Sequence, residues 1–437
     1  MLTHRFPYPP VQGDCIRAWN EIEYLARRHE VWLACLDRAA PRAEHLAHVQ
    51  ARCREVAVIT ARATWCLLRG AVSLLRGRSL SEGYFYDRPF AALLREWHAA
   101  VEFDALLAFS PVMAMYSGLV PAQRRVLDMN DVESIKWRKY ARWSTPPLRW
   151  FYALESRRMA RAEASWVRSH QVSLLVNACE QAKLPYELRP RAAVLRTGVE
   201  LTRYLSVDVT RVPHALRVAF IGSLAYPPNV RAVLWFARHV WPRVQAAIPD
   251  ARWLIAGNRP ARCIRRLSRQ PGIRVIGPVP DVRPLLQAAR VFVCPVREQI
   301  GVQTKLIEAM AAGRAAVVSP QAAAGLEYDD PPPFLIAAAP TEYAAAVVRV
   351  LRDETLARAL ATRARALARA KYAVADQMHA LERWLTGAEP AELAVRRSRA
   401  VPAELALSPP EAPRAAVGET RTDALLAARR GSGELDR

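Results

Sequence analysis

The chain of 437 residues contains no run of eighteen uncharged apolar residues, which argues against a transmembrane helix. Its first residues, MLTHRFPYPP, lack the apolar core of a secretory signal. The seven cysteines (Cys15, Cys35, Cys53, Cys66, Cys179, Cys263 and Cys294) show neither CxxC nor any other metal spacing. They read as reduced, mostly buried thiols of a cytosolic protein, with no metal site. Lysine is also scarce: Lys136, Lys139, Lys183, Lys305 and Lys371 are the only ones among 63 basic residues. Basic residues outnumber acidic ones to a net charge of +22. Such a charge admits nucleic acid, anionic lipid or phosphorylated substrates as partners. Arginine filling solvated faces accounts for part of it. The remainder points to an anionic surface, most simply a membrane.

What is abundant is alternation of strand and helix. Residues 30–36, 54–59, 104–110 and 124–130 read as buried strands, and SWVRS with SLLVN (165–177) closes the series. A helix over 14–28 and further helical patterns lie between them. A full first strand should hold about five residues. Only MLTH precedes the first loop, so either the first strand is very short or the start lies inside it, the latter being the expectation. A second series begins at 216: strands 216–223, 251–258, 273–277, 291–296 and 315–319, helices 230–248, 281–289 and 303–312. Two such units predict an α/β protein with two Rossmann-like domains facing across a cleft. The boundaries are 1–198 for the first domain, 199–386 for the second with terminal helices, and 387–437 for a disordered tail.

The segment Gly301–Gly313, GVQTKLIEAMAAG, follows a buried strand and opens a helix. A helix N-terminus carries unpaired N–H groups and partial positive charge, so it attracts phosphate. Gly301 allows close backbone approach. Lys305 and Glu308 share a helix face; the lysine can neutralise a diphosphate and the glutamate can accept from ribose hydroxyls. The same spacing also occurs as an ordinary surface pair.

This stretch resembles the donor signature of family-four glycosyltransferases, here Glu308-Ala309-Met310-Ala311-Ala312-Gly313 followed by Arg314-Ala315-Ala316-Val317-Val318. More narrowly the chain is similar to the sugar-transferase branch of exopolysaccharide loci of the PEP-CTERM/exosortase type. THRFPYPP, GDCIRAWN, DMNDVESIKWRKYA (128–141), FIGSLAYPPNVRAVLWFA (220–237) and GPVPDVRPLL (277–286) match that branch, from residue 3 to about 326. The resemblance implies a GT-B fold, a nucleoside-diphosphate sugar as co-substrate, retention of anomeric configuration, and no required metal or other cofactor. It implies that Glu308 holds the donor ribose, that Lys305 and Gly301 face the diphosphate, and that Gly257 and segment 275–279 pass near the base. Two positions depart from the pattern. Ile300 stands where relatives carry a first Glu, with Glu298 as a substitute two residues out of register. Ser223-Leu224-Ala225-Tyr226 replaces a usual Arg and Lys, leaving Arg297 as the alternative source of charge. TGVE (197–200) occupies the interdomain linker.

On the acceptor side, the turn-rich loop Pro9–Asp14 offers Gly13 for close approach, Asp14 as a helix N-cap, and Arg17 on the first turn. Asp128, Asp131 and Glu133 crowd a strand end, where grouped carboxylates are costly unless solvated or functional. Asp131 is the candidate to orient or deprotonate an acceptor hydroxyl, with Glu133 beside it and His4 as a second candidate. An acidic loop capping a helix from Ser134 is the plainer reading. Residues 61–97 mix Arg with Trp, Leu and Phe and contain no acid before Glu82. They are read as contacting an anionic membrane, or as core-facing helix.

The leading expectation is transfer of a sugar to a glycan or polyprenyl-linked acceptor in the cytoplasm, peripherally on the inner face of the plasma membrane, with no nucleic-acid partner. The rivals are a sugar-nucleotide epimerase of the same fold and a non-catalytic nucleotide-sugar-binding protein.

Overall fold

The structure, a computed structural model, describes residues 1–10, 13–204, 213–298 and 301–388. Among these, seven strands form a first sheet: β1 (Leu2–Thr3), β2 (Trp32–Asp37), β3 (Glu55–Thr60), β4 (Phe103–Phe109), β5 (Ala122–Asn130), β6 (Val172–Leu175) and β7 (Ala192–Val194). Six form a second: β8 (Arg217–Ile221), β9 (Arg252–Ala256), β10 (Ile273–Gly277), β11 (Val291–Cys294), β12 (Ala315–Val318) and β13 (Leu335–Ile336). Their orders are β3-β2-β1-β4-β5-β6-β7 and β10-β9-β8-β11-β12-β13, parallel throughout. These are the two Rossmann-like units expected from the alternation of elements.

Around the first sheet run α1 (Gly13–Leu25), α2 (Ala43–Gln50), α3 (Ala63–Leu75), α4 (Leu80–Phe85), α5 (Arg88–Ala100), α6 (Glu133–Trp143), α7 (Leu148–Ser169) and α8 (Ala178–Gln181). Around the second run α9 (Pro227–Trp235), α10 (Trp241–Ala247), α11 (Arg262–Arg266), α12 (Arg283–Ala288), α13 (Thr304–Ala311), α14 (Pro320–Ala323) and α15 (Pro340–Arg352). Two last helices follow, α16 (Glu354–Lys371) and α17 (Val374–Thr386).

Successive residues of a strand point to opposite faces, so a sheet covered on both sides must be apolar at every position. In β8, Val218 and Phe220 join one core cluster while Ala219 and Ile221 join another. β11 divides the same way, Val291 and Val293 against Phe292 and Cys294. In each sheet the strand order reverses once, between β1 and β4 and between β8 and β11. Crossovers leave the sheet in opposite directions there and open a crevice beyond the carboxyl ends. The candidate residues fall at these two places.

Several expectations are corrected. SWVRS is the last part of α7, not a strand; Glu155, Met159, Glu163 and Trp166 are buried at helical spacing. The helix expected over 230–248 is broken, with a π-turn at Phe236–Val240 before α10. Pro242 has no N–H to continue the ladder, and the wider turn absorbs the mismatch. β1, by contrast, is as short as the four residues before the loop allow; Leu2 and Thr3 pair with both β2 and β4. Asp14 lies inside the first turn of α1 and pairs with Arg5, Nη1 to Oδ2 2.9 Å, so it is not the N-cap. α6 begins at Glu133 without a side-chain cap. Its first amides go to distant carboxylates: Ser134 N–H donates to Glu163 Oε1 at 3.2 Å and Val132 N–H to Glu180 Oε2 at 3.4 Å. Five of the cysteines are buried; Cys179 and Cys263 are exposed. The tail beyond 388 and position 300 lie outside the described residues.

The chain crosses between the two sheets twice. Val199 N–H donates to the Tyr372 carbonyl at 2.8 Å, and Val374 N–H to the Val199 carbonyl at 3.1 Å. After the second crossing α17 packs on the first half, where Glu382 accepts from Tyr24 Oη at 3.0 Å and meets His29 Nε2 at 2.9 Å.

Candidate active site at the facing strand ends

The donor side is built on β8 and β11. Beyond β8 lies Gly222, and a Cβ there would sit 3.6 Å from Lys305 Cδ, so the α13 lysine reaches the switch point. Lys305 Nζ donates to Asn229 Oδ1 at 2.9 Å and to Gln303 Oε1 at 2.7 Å. Both acceptors are neutral. Among the described residues no carboxylate comes within ion-pair distance of this ammonium. Burial pulls its pKa down, with Glu308 opposing. A partly buried cation held only by neutral oxygens lacks an anionic partner. One turn further, the Glu308 carboxylate accepts no hydrogen bond from the described residues. Burial pushes its carboxyl up to about 7, against the pull of Lys305 and Arg203. The first turn of α13 has no side-chain cap, and its Leu306 N–H donates to the Gln303 carbonyl at 2.8 Å.

Gly257 and Arg297, both expected on the donor side, have distinct surroundings. A Cβ at Gly257, whose φ is +153°, would lie 1.7 Å from the Gly222 carbonyl oxygen. The glycine is required for two loop backbones to pass, whatever it does for a base. Gly257→Ala is expected to lower unfolding stability by about 3 kcal/mol or more, measured by urea titration. A change under 1 kcal/mol would contradict this packing. The Arg297 guanidinium lies over the Trp235 ring, 4.8 Å from its centroid, at the far end of α9 from Asn229. Arg297 therefore does not reach Lys305's partners. Glu298 Oε1 takes Arg231 Nε at 2.5 Å, and its second oxygen is buried without a partner. As a stand-in for the missing first Glu it is half engaged.

The acceptor side depends on how β5 ends. Its register with β6 slips between Asp128 and Asn130, and Asn130 adopts φ +63°. Asparagine tolerates this left-handed conformation better than most residues. The bulge turns the chain, and Asp131 N–H folds back onto the Met129 carbonyl at 2.7 Å. Asp131 Oδ1 is buried without a hydrogen-bond partner. Burial and then the nearby Glu180 push its carboxyl to about 7, with Lys183 opposing. Glu133, two residues on, pairs with Lys136 at 2.8 Å.

His4 follows β1, between the rings of Phe85 and Phe109. Burial holds its imidazole below the usual range, opposed first by Asp14, and the Glu133 charge also reaches it. Nδ1 has no partner, and Nε2 is 3.9 Å from Asp14 Oδ2. Gly13 opens α1 with no atom within 4 Å of where a Cβ would stand. Arg17, expected to be open to an acceptor, is only 3% exposed and is taken up by protein partners. Its Nε donates to Asp128 Oδ2 at 2.6 Å and its Nη1 to the Leu195 carbonyl at 2.8 Å. Asp128 is thus engaged by Arg17 under the strand end. Of the three crowded carboxylates, Asp131 keeps a buried, unpartnered oxygen and Glu133 pairs with Lys136.

The two sides meet at Gly301. Its φ is +53°, and a Cβ there would stand 3.2 Å from both carboxylate oxygens of Asp131. The loop that leads into α13 therefore lies against Asp131. Next to it, Asn177 Nδ2 donates to the Gly325 carbonyl at 3.1 Å. Asn229, Gln303, Arg203 and the pair Glu180–Lys183 also shape the site. Asn229, Arg203 and the Glu180–Lys183 pair escape sequence reasoning because they reach Lys305, Glu308 and Asp131 across tens of residues, whereas Gln303 lies two residues from Lys305. Among the described residues no group of three or more His, Cys, Asp or Glu is placed to hold a metal ion.

Solved structures share this architecture. The HepE protein of Anabaena, in complex with UDP and glucose, superposes with a TM-score of 0.61 at 14% identity, over 88% of this chain and 98% of that one. Sucrose-phosphate synthase from Thermosynechococcus elongatus gives 0.61 at 15%, over 89% and 99%. A glycosyltransferase from Rickettsia africae gives 0.57 at 10%, over 88% and 97%. At these identities the likeness concerns the fold, and the fold is GT-B. Residues 215–353, which carry the second sheet and α13, match the family Glycosyl transferases group 1. Fold and domain together support a GT-B glycosyltransferase. No curated protein sequence matches the chain.

Proposed function

We propose that the protein transfers a sugar, with retention, from a nucleoside-diphosphate sugar to a glycan or lipid-linked acceptor in exopolysaccharide biosynthesis, on the cytoplasmic face of the plasma membrane. The observation that carries this reading is the contact between the Asp131 carboxylate and the Gly301 loop. In the bound state the diphosphate lies on the α13 amides and completes the charge of Lys305. Glu308 accepts from the ribose hydroxyls. The structures of HepE with UDP, UDP and glucose, and UDP-glucose support a nucleotide sugar as the ligand of this fold.

The acceptor oxygen forms a bond to the anomeric carbon as the bond from that carbon to the β-phosphate oxygen breaks. The acceptor proton passes to Asp131, and the nucleoside diphosphate leaves toward Lys305. Because Asp131 stands against the diphosphate loop, a hydroxyl that it orients approaches from the side on which the leaving group departs. That approach favours retention. Lys305 and the helix amides meet the developing negative charge, so this reading needs no metal ion.

A melting-temperature screen with UDP, GDP, ADP and dTDP sugars tests the proposal. One donor at a hundredfold excess over its Kd should add about 2.7 kcal/mol of stability. NMR of the product then reads the anomeric configuration. Absence of any shift, with Lys305→Ala behaving as the parent does, would overturn the donor site.

A further inference from the structure

We infer that α3 and the α6–α7 hairpin form one docking surface for an anionic lipid bilayer. The inference extends the lipid-linked half of the acceptor reading, but its test measures lipid binding separately from donor binding.

The first observation is an inversion on α3. A helix on a globular surface normally turns its large apolar side chains inward. This helix buries Cys66, Gly70 and Ser73 and exposes Trp65, Leu68, Val72 and Leu75. The exposed positions recur at three- and four-residue spacing, one continuous face. Leu75 is 88% exposed. Of the 61–97 segment only α3 behaves this way. In α5, Phe90, Ala91 and Leu94 face the core.

The second observation is independent of the first in sequence. At the α6–α7 turn, Trp143, Leu148, Trp150 and Leu154 are also exposed, Trp150 at 68%. The structure brings the body of α7 to the end of α3. Arg158 Nη1 donates to the Leu74 carbonyl at 2.9 Å and to the Arg78 carbonyl at 3.1 Å. Glu155 accepts from Leu80 N–H at 2.7 Å and from Ser81 N–H at 3.0 Å. Leu154 is one turn before Arg158 on α7, so it adjoins the end of α3 that carries Leu75.

Charge selects the occupant. Between Val56 and Ser81 there is no acidic residue, and between Ser134 and Ala162 the one acid is Glu155, which is buried. Exposed arginines border the apolar face: Arg62 and Arg76 from α3, Arg142, Arg149, Arg157 and Arg161 from the hairpin. A second copy seated on this face would set arginines against arginines. A nucleic acid would leave Leu75 and Leu148 exposed. A bilayer accepts both parts, with apolar side chains and tryptophans at the acyl boundary and guanidinium groups among anionic headgroups. No helix among the described residues is long and apolar enough to cross a membrane, so the contact is peripheral.

The location has a functional meaning. α6 starts at Glu133, two residues from Asp131, and ends at Trp143. Its eleven residues span about 16 Å. The surface therefore holds the acceptor side of the cleft within headgroup reach of a bilayer, which suits an acceptor glycan still attached to its lipid.

Flotation of the full chain with phosphatidylcholine vesicles containing about one third phosphatidylglycerol tests the inference. The protein should float with these at low salt, and much less with phosphatidylcholine alone. The double substitution Leu75→Ser and Trp150→Ser should cut partitioning at least ~30-fold. The melting-temperature shift with donor should persist in that variant, which reports that it folds and that the donor site is intact. No flotation with anionic vesicles, or flotation unchanged by the double substitution, would overturn the inference. So would a lipid-free dimer that the double substitution converts to monomer, since the face would then be a self-contact. Loss of lipid binding with an intact donor shift separates this surface from the donor reading.

Discussion

Glu308→Gln is expected to weaken nucleoside-diphosphate binding about a hundredfold while raising the stability of the unliganded protein at pH 8. The first effect follows from replacing two charge-assisted hydrogen bonds to ribose hydroxyls by neutral ones, a difference of about 1–1.5 kcal/mol each. The second follows from the position of the group. Its folded-state pKa of about 7 lies above the ordinary 4.5 because burial penalises the carboxylate. A carboxyl raised in this way favours the folded state while protonated. Its contribution is full below about pH 4.5 and is lost as pH climbs through about 7. Glutamine never ionises and keeps the benefit. The melting temperature of the variant should therefore exceed that of the parent increasingly from pH 5 to pH 8. Calorimetry across pH, paired with titration of the donor that the screen selects, checks both effects. Equal affinity in variant and parent would remove Glu308 from the donor site.

Asp131→Asn should lower kcat by a factor of about a hundred to a thousand with little change in donor affinity. In the parent, burial and Glu180 place the Asp131 carboxyl at about 7. A base must be deprotonated to accept a proton, so kcat should rise as pH increases through about 7. The substitution should abolish that limb of the profile. His4 provides the comparison. Its imidazole is held below its usual value by burial, so it is already neutral where the Asp131 limb falls. If the limb near pH 7 survives Asp131→Asn, Asp131 is not the proton acceptor.

Both predictions concern groups that the sequence marks by type and place. Much of the fold is legible in the same way, because βα alternation and apolar strands are local signals. Val218–Ile221 must be a buried strand, and a Gly after it must be a turn. Lys305 and Glu308 are visible because they lie on one helix behind one strand. The failures have physical causes. Trp166 and Val167 look like strand residues, but they continue a buried face begun eleven residues earlier at Glu155, and only tertiary packing makes that face the deciding one. Arg17 looks accessible on a first helical turn, yet Asp128, 111 residues away, draws it beneath the sheet. The amides at the start of α6 are met by Glu163 and Glu180 rather than by a local cap, and no short-range pattern encodes that pairing. Asp131 was legible as a carboxylate at a strand end. Its contact with Gly301 was not, because it joins the two halves of the chain.

The doubled crossing between the halves has a mechanical consequence. Val199 is stitched on one side to Tyr372 and on the other to Val374, and Arg196 N–H adds a bond to Gln377 Oε1 at 3.0 Å. Two connections bonded side by side behave as a door hinge with a double pin: they resist sliding and shear and leave rotation as the soft direction. Such a rotation is absorbed by a few backbone dihedrals near 195–200 and 371–374, without unpacking either sheet. Its lever arm ends at Asp131 and Gly301. On the proposed function, a small torsion at the pin would widen or narrow the gap between Asp131 and the Gly301 loop.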